Sequence, residues 1–174
     1  MGRDIWYEPL KETETMTLSA LTRSPLVLSL GLALTACAGA AQATEIAMYR
    51  DPNCGCCLAW LDHAKSWFGE AEDGVTTRTI ESQNLASVKE EFGVPADLAS
   101  CHTAIVEGYV IEGHVPAADV QRLLAERPEG VTGLAVPGMP VGSPGMEMGD
   151  RKDAYQVIAF GPEGRAVWAS YPAS

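Results

Sequence analysis

The chain has 174 residues, with 23 acidic against 12 basic side chains and a formal net charge of −11 at neutral pH. A surface this acidic repels phosphate backbones, so nucleic acid is excluded as an expected partner. Five cysteines, three of them within four residues, point instead to thiol or metal chemistry.

The N-terminal stretch reads as a secretion signal over residues 17–43. Arg23 supplies the positive region, and Pro25 to Ala36 form an apolar run of twelve residues. A bilayer-spanning helix needs about 20 apolar residues, so this run is an export signal and no membrane anchor. Ala41-Gln42-Ala43 fits the small-x-small pattern of signal peptidase, giving a mature start near Thr44, the reading preferred here. Leu34-Thr35-Ala36-Cys37 fits a lipobox, which would make Cys37 a lipidated first residue. Met16 precedes the signal, and the fifteen residues before it read as an over-extended start. Residues 1–43 are thus expected to be removed, leaving 44–174 as one domain of 131 residues with net charge −10. No second apolar segment predicts a membrane span in that mature part.

The mature elements alternate. Glu45 to Tyr49 is a short apolar run suited to a buried strand, and Arg50-Asp51-Pro52-Asn53 a turn whose Asp and Asn suit helix capping. Cys57, Leu61, Ala64 and Phe68 recur at helical spacing, widened by Trp60 and Trp67. Val75 to Ile80 predicts a second strand. Ser82 would cap a helix burying Leu85, Val88 and Phe92, ended by Gly93 and Pro95. Thr103 to Val106 and Tyr109 to Ile111 predict a hairpin around Gly108. Pro116 opens a helix with Val120, Leu123 and Leu124 on its apolar face. Tyr155 to Phe160 and Arg165 to Tyr171 flank Gly161-Pro162-Glu163-Gly164 as a terminal hairpin. The fold class is α/β: β-α-β-α, an inserted β-β-α, a long loop and a β-hairpin. Trp60, Trp67 and Trp168 are expected in its core.

The long loop, Pro128 to Gly149, holds four prolines and six glycines in 22 residues, a composition that predicts no regular element. Loops this long are functional or disordered. Met139, Met146 and Met148 favour function, because a thioether is a soft ligand for Cu(I). Each also suits a gap in the core.

Cys54-Gly55-Cys56-Cys57 carries the most specific signal. Cys54 and Cys57 form a C-x-x-C pair between a strand and a helix, where unpaired N–H groups and the helix dipole stabilise a thiolate. That is the thioredoxin arrangement, from which Cys56 departs. A third thiol complicates dithiol exchange, yet gives a metal three converging soft donors. Among the mature cysteines 54, 56, 57 and 101, only Cys101 supplies a long-range partner. His114, between Gly113 and Pro116, is a candidate ligand. His102 adjoins Cys101 and joins it only if the chain turns there, because neighbours in a strand face opposite ways. His63 is expected on the solvent side of the first helix.

Four segments carry a family resemblance: Tyr49-Arg50-Asp51-Pro52-Asn53-Cys54-Gly55-Cys56-Cys57, Ser100-Cys101-His102-Thr103, Glu112-Gly113-His114-Val115-Pro116, and Val136 through Glu147. In this order they resemble the CopG-type periplasmic copper-resistance proteins, long filed as a domain of unknown function, over residues 45–171. The resemblance implies a thioredoxin-like fold, periplasmic location, and Cu(I)/Cu(II) binding with redox interconversion in copper handling; the crowding of the cysteines lets sulfur bridge several Cu(I) ions. It implies Cys54, Cys56, Cys57 and Cys101 as thiol ligands and other copper-handling proteins as partners. It also suggests that Met139–Pro140 takes the place of the cis-proline peptide of thioredoxins, which would bring Met139 to the metal beside His114. Two alternatives stand beside copper binding. One is a thiol–disulfide oxidoreductase with Cys54 and Cys57 as its catalytic pair; the other is a zinc site, since Cys₄ and Cys₃His sets favour zinc.

Overall fold

A computed structural model of the chain describes residues 43–69 and 74–174. The export signal, Arg23, the cleavage site at Ala41-Gln42 and Cys37 lie outside the described residues.

Strand β1 (Thr44–Arg50) lies inside the sheet because its middle is apolar, with Ile46 and Met48 fully buried. Helix α1 (Gly55–Phe68) follows it and returns the chain to β2 (Val75–Glu81), which pairs parallel to β1 from Thr44↔Val75 to Arg50↔Glu81. Helix α2 (Leu85–Glu91) and a 3₁₀ turn (Ala96–Leu98) lead into β3 (His102–Val106) and β4 (Tyr109–Glu112). These last two form the expected hairpin, with Gly108 at φ +87° in its turn. β3 lies antiparallel to β1 on the edge that β2 leaves free. Helix α3 (Ala117–Glu126) precedes β5 (Gly133–Ala135), and β6 (Tyr155–Gly161) and β7 (Gly164–Tyr171) form the closing hairpin. The seven strands run in the order β2-β1-β3-β4-β5-β6-β7.

Period-two alternation splits the apolar side chains between the two faces of this sheet. Ile46, Met48, Ala104, Val106, Ile111, Leu134 and Val157 share one face with Trp60 and Leu61 of α1 and Val120 and Leu123 of α3. Val110, Ala135 and Phe160 occupy the other with Val94 and Leu98. The mixed α/β architecture matches the sequence reading.

Several local expectations are corrected. β5 lies within the segment read as irregular, and it joins the closing hairpin to the rest of the sheet. Its Gly133 is required by crowding, since a Cβ there would overlap the Val110 carbonyl. Helix α1 begins two residues early, with Cys54 at its N-cap and no side-chain cap. Asp51 accepts from the Asn53 N–H within the turn instead. Asn84, not Ser82, caps α2, and the helix's apolar face is only half buried. Trp60 is core at 1 % exposure, whereas Trp67 is 48 % exposed and donates to Gln121. His63 is half buried rather than exposed; its Nε2 accepts from the first turn of α3 at Ala117.

Candidate metal centre

Three segments meet at the N-terminus of α1. The first is the turn that carries the cysteines. Arg50, nearly buried at the end of β1, donates to the carbonyls of Asp51 (2.8 Å) and Pro52 (2.9 Å) and to the Glu81 carboxylate (2.9 Å). One guanidinium fork thereby fixes the turn and ties it to β2. Cys54 and Cys57 are joined as a disulfide, and Cys56 Sγ lies 3.5 Å from Cys54 Sγ. Cys57 is fully buried, whereas Cys54 and Cys56 are half buried.

The second segment is Ser100-Cys101-His102, at the entry to β3. Cys101 precedes the strand, in a bend, so its side chain and that of His102 converge: Sγ to Nδ1 is 3.3 Å. The same sulfur lies 2.9 Å from His114 Nε2. His102 is fully buried, packed on Trp60 (4.6 Å between ring centroids) and edge-on to His114 (5.2 Å). Its Nε2 has no hydrogen-bond partner among the described residues.

The third segment is the loop read as functional. Pro144 accepts from His114 Nδ1 at 2.7 Å, which fixes that ring's tautomer and aims Nε2 at Cys101. The loop can reach this point because Gly145, at φ +84°, packs against α1; a Cβ there would stand 2.6 Å from the Trp60 nitrogen. Trp60 in turn donates its indole N–H to Val115 (2.8 Å), beside His114.

Two groupings of donor atoms result. The sulfurs of Cys54, Cys56, Cys57 and Cys101 lie within 4.8 Å of one another, and so do the donor atoms of Cys101, His102 and His114. Metal–sulfur bonds of about 2.3 Å place tetrahedral sulfurs about 3.8 Å apart, so the four thiols suit an ion once the disulfide is open. Cys101 belongs to both sets.

The electrostatics favour neutral ligands awaiting a cation. Burial, then the neighbouring Cys56, pushes the Cys101 thiol up to about 12, with Ser100 opposing. Burial, then His114 and Lys89, holds His102 well below the usual imidazole range; burial lowers His114 too, against the pull of Pro144 and Glu147. A metal must displace one proton from Cys101 and none from the rings.

Behind these ligands stands a carboxylate that sequence reasoning did not single out. Glu112, fully buried, accepts from Lys89 Nζ (2.6 Å), the Ser100 N–H (2.5 Å) and Thr103 Oγ1 (2.7 Å). It binds the segment preceding Cys101 to the strand preceding His114. Gly113 between them, at φ +70°, admits no side chain: its Cβ would meet Ser100 Cβ at 2.5 Å. The available signal was a Glu two residues before a candidate ligand in an otherwise apolar strand. Arg50 offered the same signal at the end of β1.

The structure therefore brings Cys54, Cys56, Cys57, Cys101 and His114 together and adds His102. Met139 is 52 % exposed; no cis peptide bond occurs among the described residues, so the expected cis Met139–Pro140 bond is absent. Met139 follows Gly138, whose carbonyl accepts from Ser100 Oγ. Met148 is 65 % exposed.

Comparison with known proteins places the chain in a family. Residues 98–146, which hold Cys101, His102, His114 and most of the loop, match a family model described as "Protein of unknown function, DUF411". A solved structure titled "Copper resistance protein copG- Form 2" is 43 % identical, with 75 % of this chain and 100 % of that one covered and a TM-score of 0.67. A second, "Copper resistance protein copG- Form 1", is 45 % identical over 74 % and 97 %, with a TM-score of 0.65. The chain belongs to the CopG-type copper-resistance family. No curated protein sequence matches it. Among the described residues, no helix is long and apolar enough to cross a membrane.

Proposed function

We propose that this family member is an exported copper-binding protein that holds Cu(I), as more than one ion, on Cys54, Cys56, Cys57 and Cys101, with His102 and His114 completing the centre. The observation that carries the reading is the convergence of four sulfurs within 4.8 Å on a shared Cys101 that also meets two imidazoles. Thiolates are soft donors that select Cu(I), and imidazole accepts either copper oxidation state, which suits Cu(I)/Cu(II) interconversion. A bridging Cys101 lets adjacent ions share one sulfur. Met139, exposed on the loop beside Ser100, acts as an outer thioether donor during loading. Zinc satisfies a Cys₄ set equally well by geometry; the mixed sulfur and imidazole set, with thioethers in the adjoining loop, favours copper.

Under this proposal residues 1–43 are removed and 44–174 work in the periplasm, either free or, if Cys37 is lipidated, anchored there, where other copper-handling proteins exchange the metal. The scaffold is thioredoxin-like. In support stand the parallel β1-α1-β2 unit, the β3–β4 hairpin on its other edge, and a C-x-x-C at the start of α1.

The Cys54–Cys57 disulfide supports a second reading, a thiol–disulfide oxidoreductase. The two part at Cys56 and Cys101, which an exchange enzyme does not need. The test is to reduce residues 44–174, add Cu(I), and measure stoichiometry and ligation by X-ray absorption. Uptake that falls on loss of either cysteine supports copper. Tighter retention of zinc than of copper, or no copper uptake, refutes it.

A further inference from the structure

The two donor sets differ in one respect: the disulfide removes two members of the first and none of the second. We infer that the oxidation state of Cys54 and Cys57 selects the metal. With both thiols free, the four sulfurs take Cu(I); with the disulfide closed, Cys101, His102 and His114 remain as a one-sulfur, two-nitrogen site for a single borderline divalent cation. The inference rests on the copper reading for its reduced arm only.

A disulfide sulfur cannot become a thiolate, so closing the bond takes the first set from four soft donors to two. The second set is held by contacts that do not involve Cys54 or Cys57 side chains. Pro144 orients His114, Trp60 and His114 enclose His102, and Glu112 fixes the chain before Cys101. The spacing suits an ion. Metal–sulfur bonds of about 2.3 Å and metal–nitrogen bonds of about 2.05 Å give tetrahedral S···N separations of about 3.6 Å. From the observed 3.3 Å and 2.9 Å, the two contacts would open by about 0.3 Å and about 0.7 Å to admit an ion. His102 is fully buried and offers Nδ1, the ring nitrogen 3.3 Å from Cys101 Sγ, as its ligand atom. One thiolate with two neutral imidazoles and an open position is a harder donor set than four thiolates, and it suits borderline divalent ions. The switching reaction is thiol–disulfide exchange. Cys54 and Cys57 give up two protons and two electrons to a small-molecule disulfide, which leaves as two thiols, and the reverse reaction reopens the sulfur set.

The experiment uses residues 44–174 in two forms, reduced and oxidised with a small disulfide, the bond mapped by mass spectrometry. Each is titrated with Cu(I) and, separately, with Co(II) as a spectroscopic divalent probe. The expected result is one tetrahedral Co(II) per oxidised chain, lost in His102→Ala and His114→Ala, and Cu(I) affinity at least tenfold weaker than in the reduced chain. The Cys54→Ser/Cys57→Ser double variant, which cannot form the bond, should behave as the oxidised form even in reductant. No Co(II) uptake by the oxidised chain, uptake unchanged in the histidine variants, or Cu(I) affinity equal in both forms overturns the inference and leaves the copper reading intact. Failure of the reduced chain to take Cu(I) overturns both.

Discussion

The cysteine turn at 54–57 and the imidazole pair at 102 and 114 meet at Cys101, yet they are assembled by different means. The turn is local: three donors within four residues, set at the start of a helix and clamped by Arg50. The imidazoles are 12 residues apart in sequence and come together only through β3, β4 and the loop at 144. A local cluster tolerates damage elsewhere in the fold, whereas a long-range one fails with its tethers. Substitutions can separate these behaviours.

The largest effect should come where the halves join. Cys101→Ser removes a donor from both sets at once. Losing a group that merely orients a ligand weakens metal binding about 10- to 100-fold, so losing this shared sulfur should exceed about 100-fold in Cu(I) affinity, read by competition with a chromophoric chelator. If Cys101→Ser instead matches Cys56→Ser, the two sets are independent.

Next in size is the tether. Glu112→Ala strands Lys89, whose side chain is only 12 % exposed, without its partner. Removing one member of a buried pair costs about 3–5 kcal/mol, measurable by urea unfolding. Glu112→Gln with Lys89→Met should recover most of that loss while leaving His114 less well placed, so stability and nitrogen ligation of Co(II) should separate. Gly113→Ala, at φ +70°, should cost about 1–3 kcal/mol by the same clash with Ser100.

What could be read in advance follows the same division. The strand and helix order was legible because α1, β1 and the β6–β7 hairpin carry strong periodicity, and the cysteines because their spacing is itself the signal. Glu112 was not legible. A glutamate in an apolar strand looks like an edge residue until Lys89, Ser100 and Thr103 are known to face it. β5 hid for a related reason: three residues between glycines and prolines have no period, and only Val110 and Phe160 on either side make Gly133–Ala135 a strand. His102 was judged on the rule that neighbours in a strand diverge, which fails because Cys101 lies before the strand begins.

The buried ligands should also give the metal-free protein a bounded window of stability. His102 and His114 are depressed in the folded state, so below about 6.5 the unfolded chain binds protons that the fold resists, and stability falls as pH drops. Cys101 is raised from 9.0 to about 12, so above 9.0 the unfolded thiol ionises first and stability falls as pH rises. Thermal midpoints should therefore be flat between these limits. Cys101→Ser should remove the loss that begins near 9.0 but not the part due to Tyr155, which burial raises to about 12.

The smallest effect should fall outside both halves. Met139 is exposed and its backbone contact to the centre runs through Gly138 and Ser100, so an apolar residue of similar size leaves the fold unchanged. If Met139 only helps copper enter, Met139→Leu should slow Cu(I) transfer from a carrier chelator severalfold while equilibrium affinity stays within about threefold, a change under 1 kcal/mol. A stopped-flow trace of chelator bleaching separates rate from endpoint. An affinity loss as large as that of Cys56→Ser would instead make Met139 a permanent ligand, which requires the 137–140 turn to fold inward on loading and would extend the long-range half of the centre by one more donor.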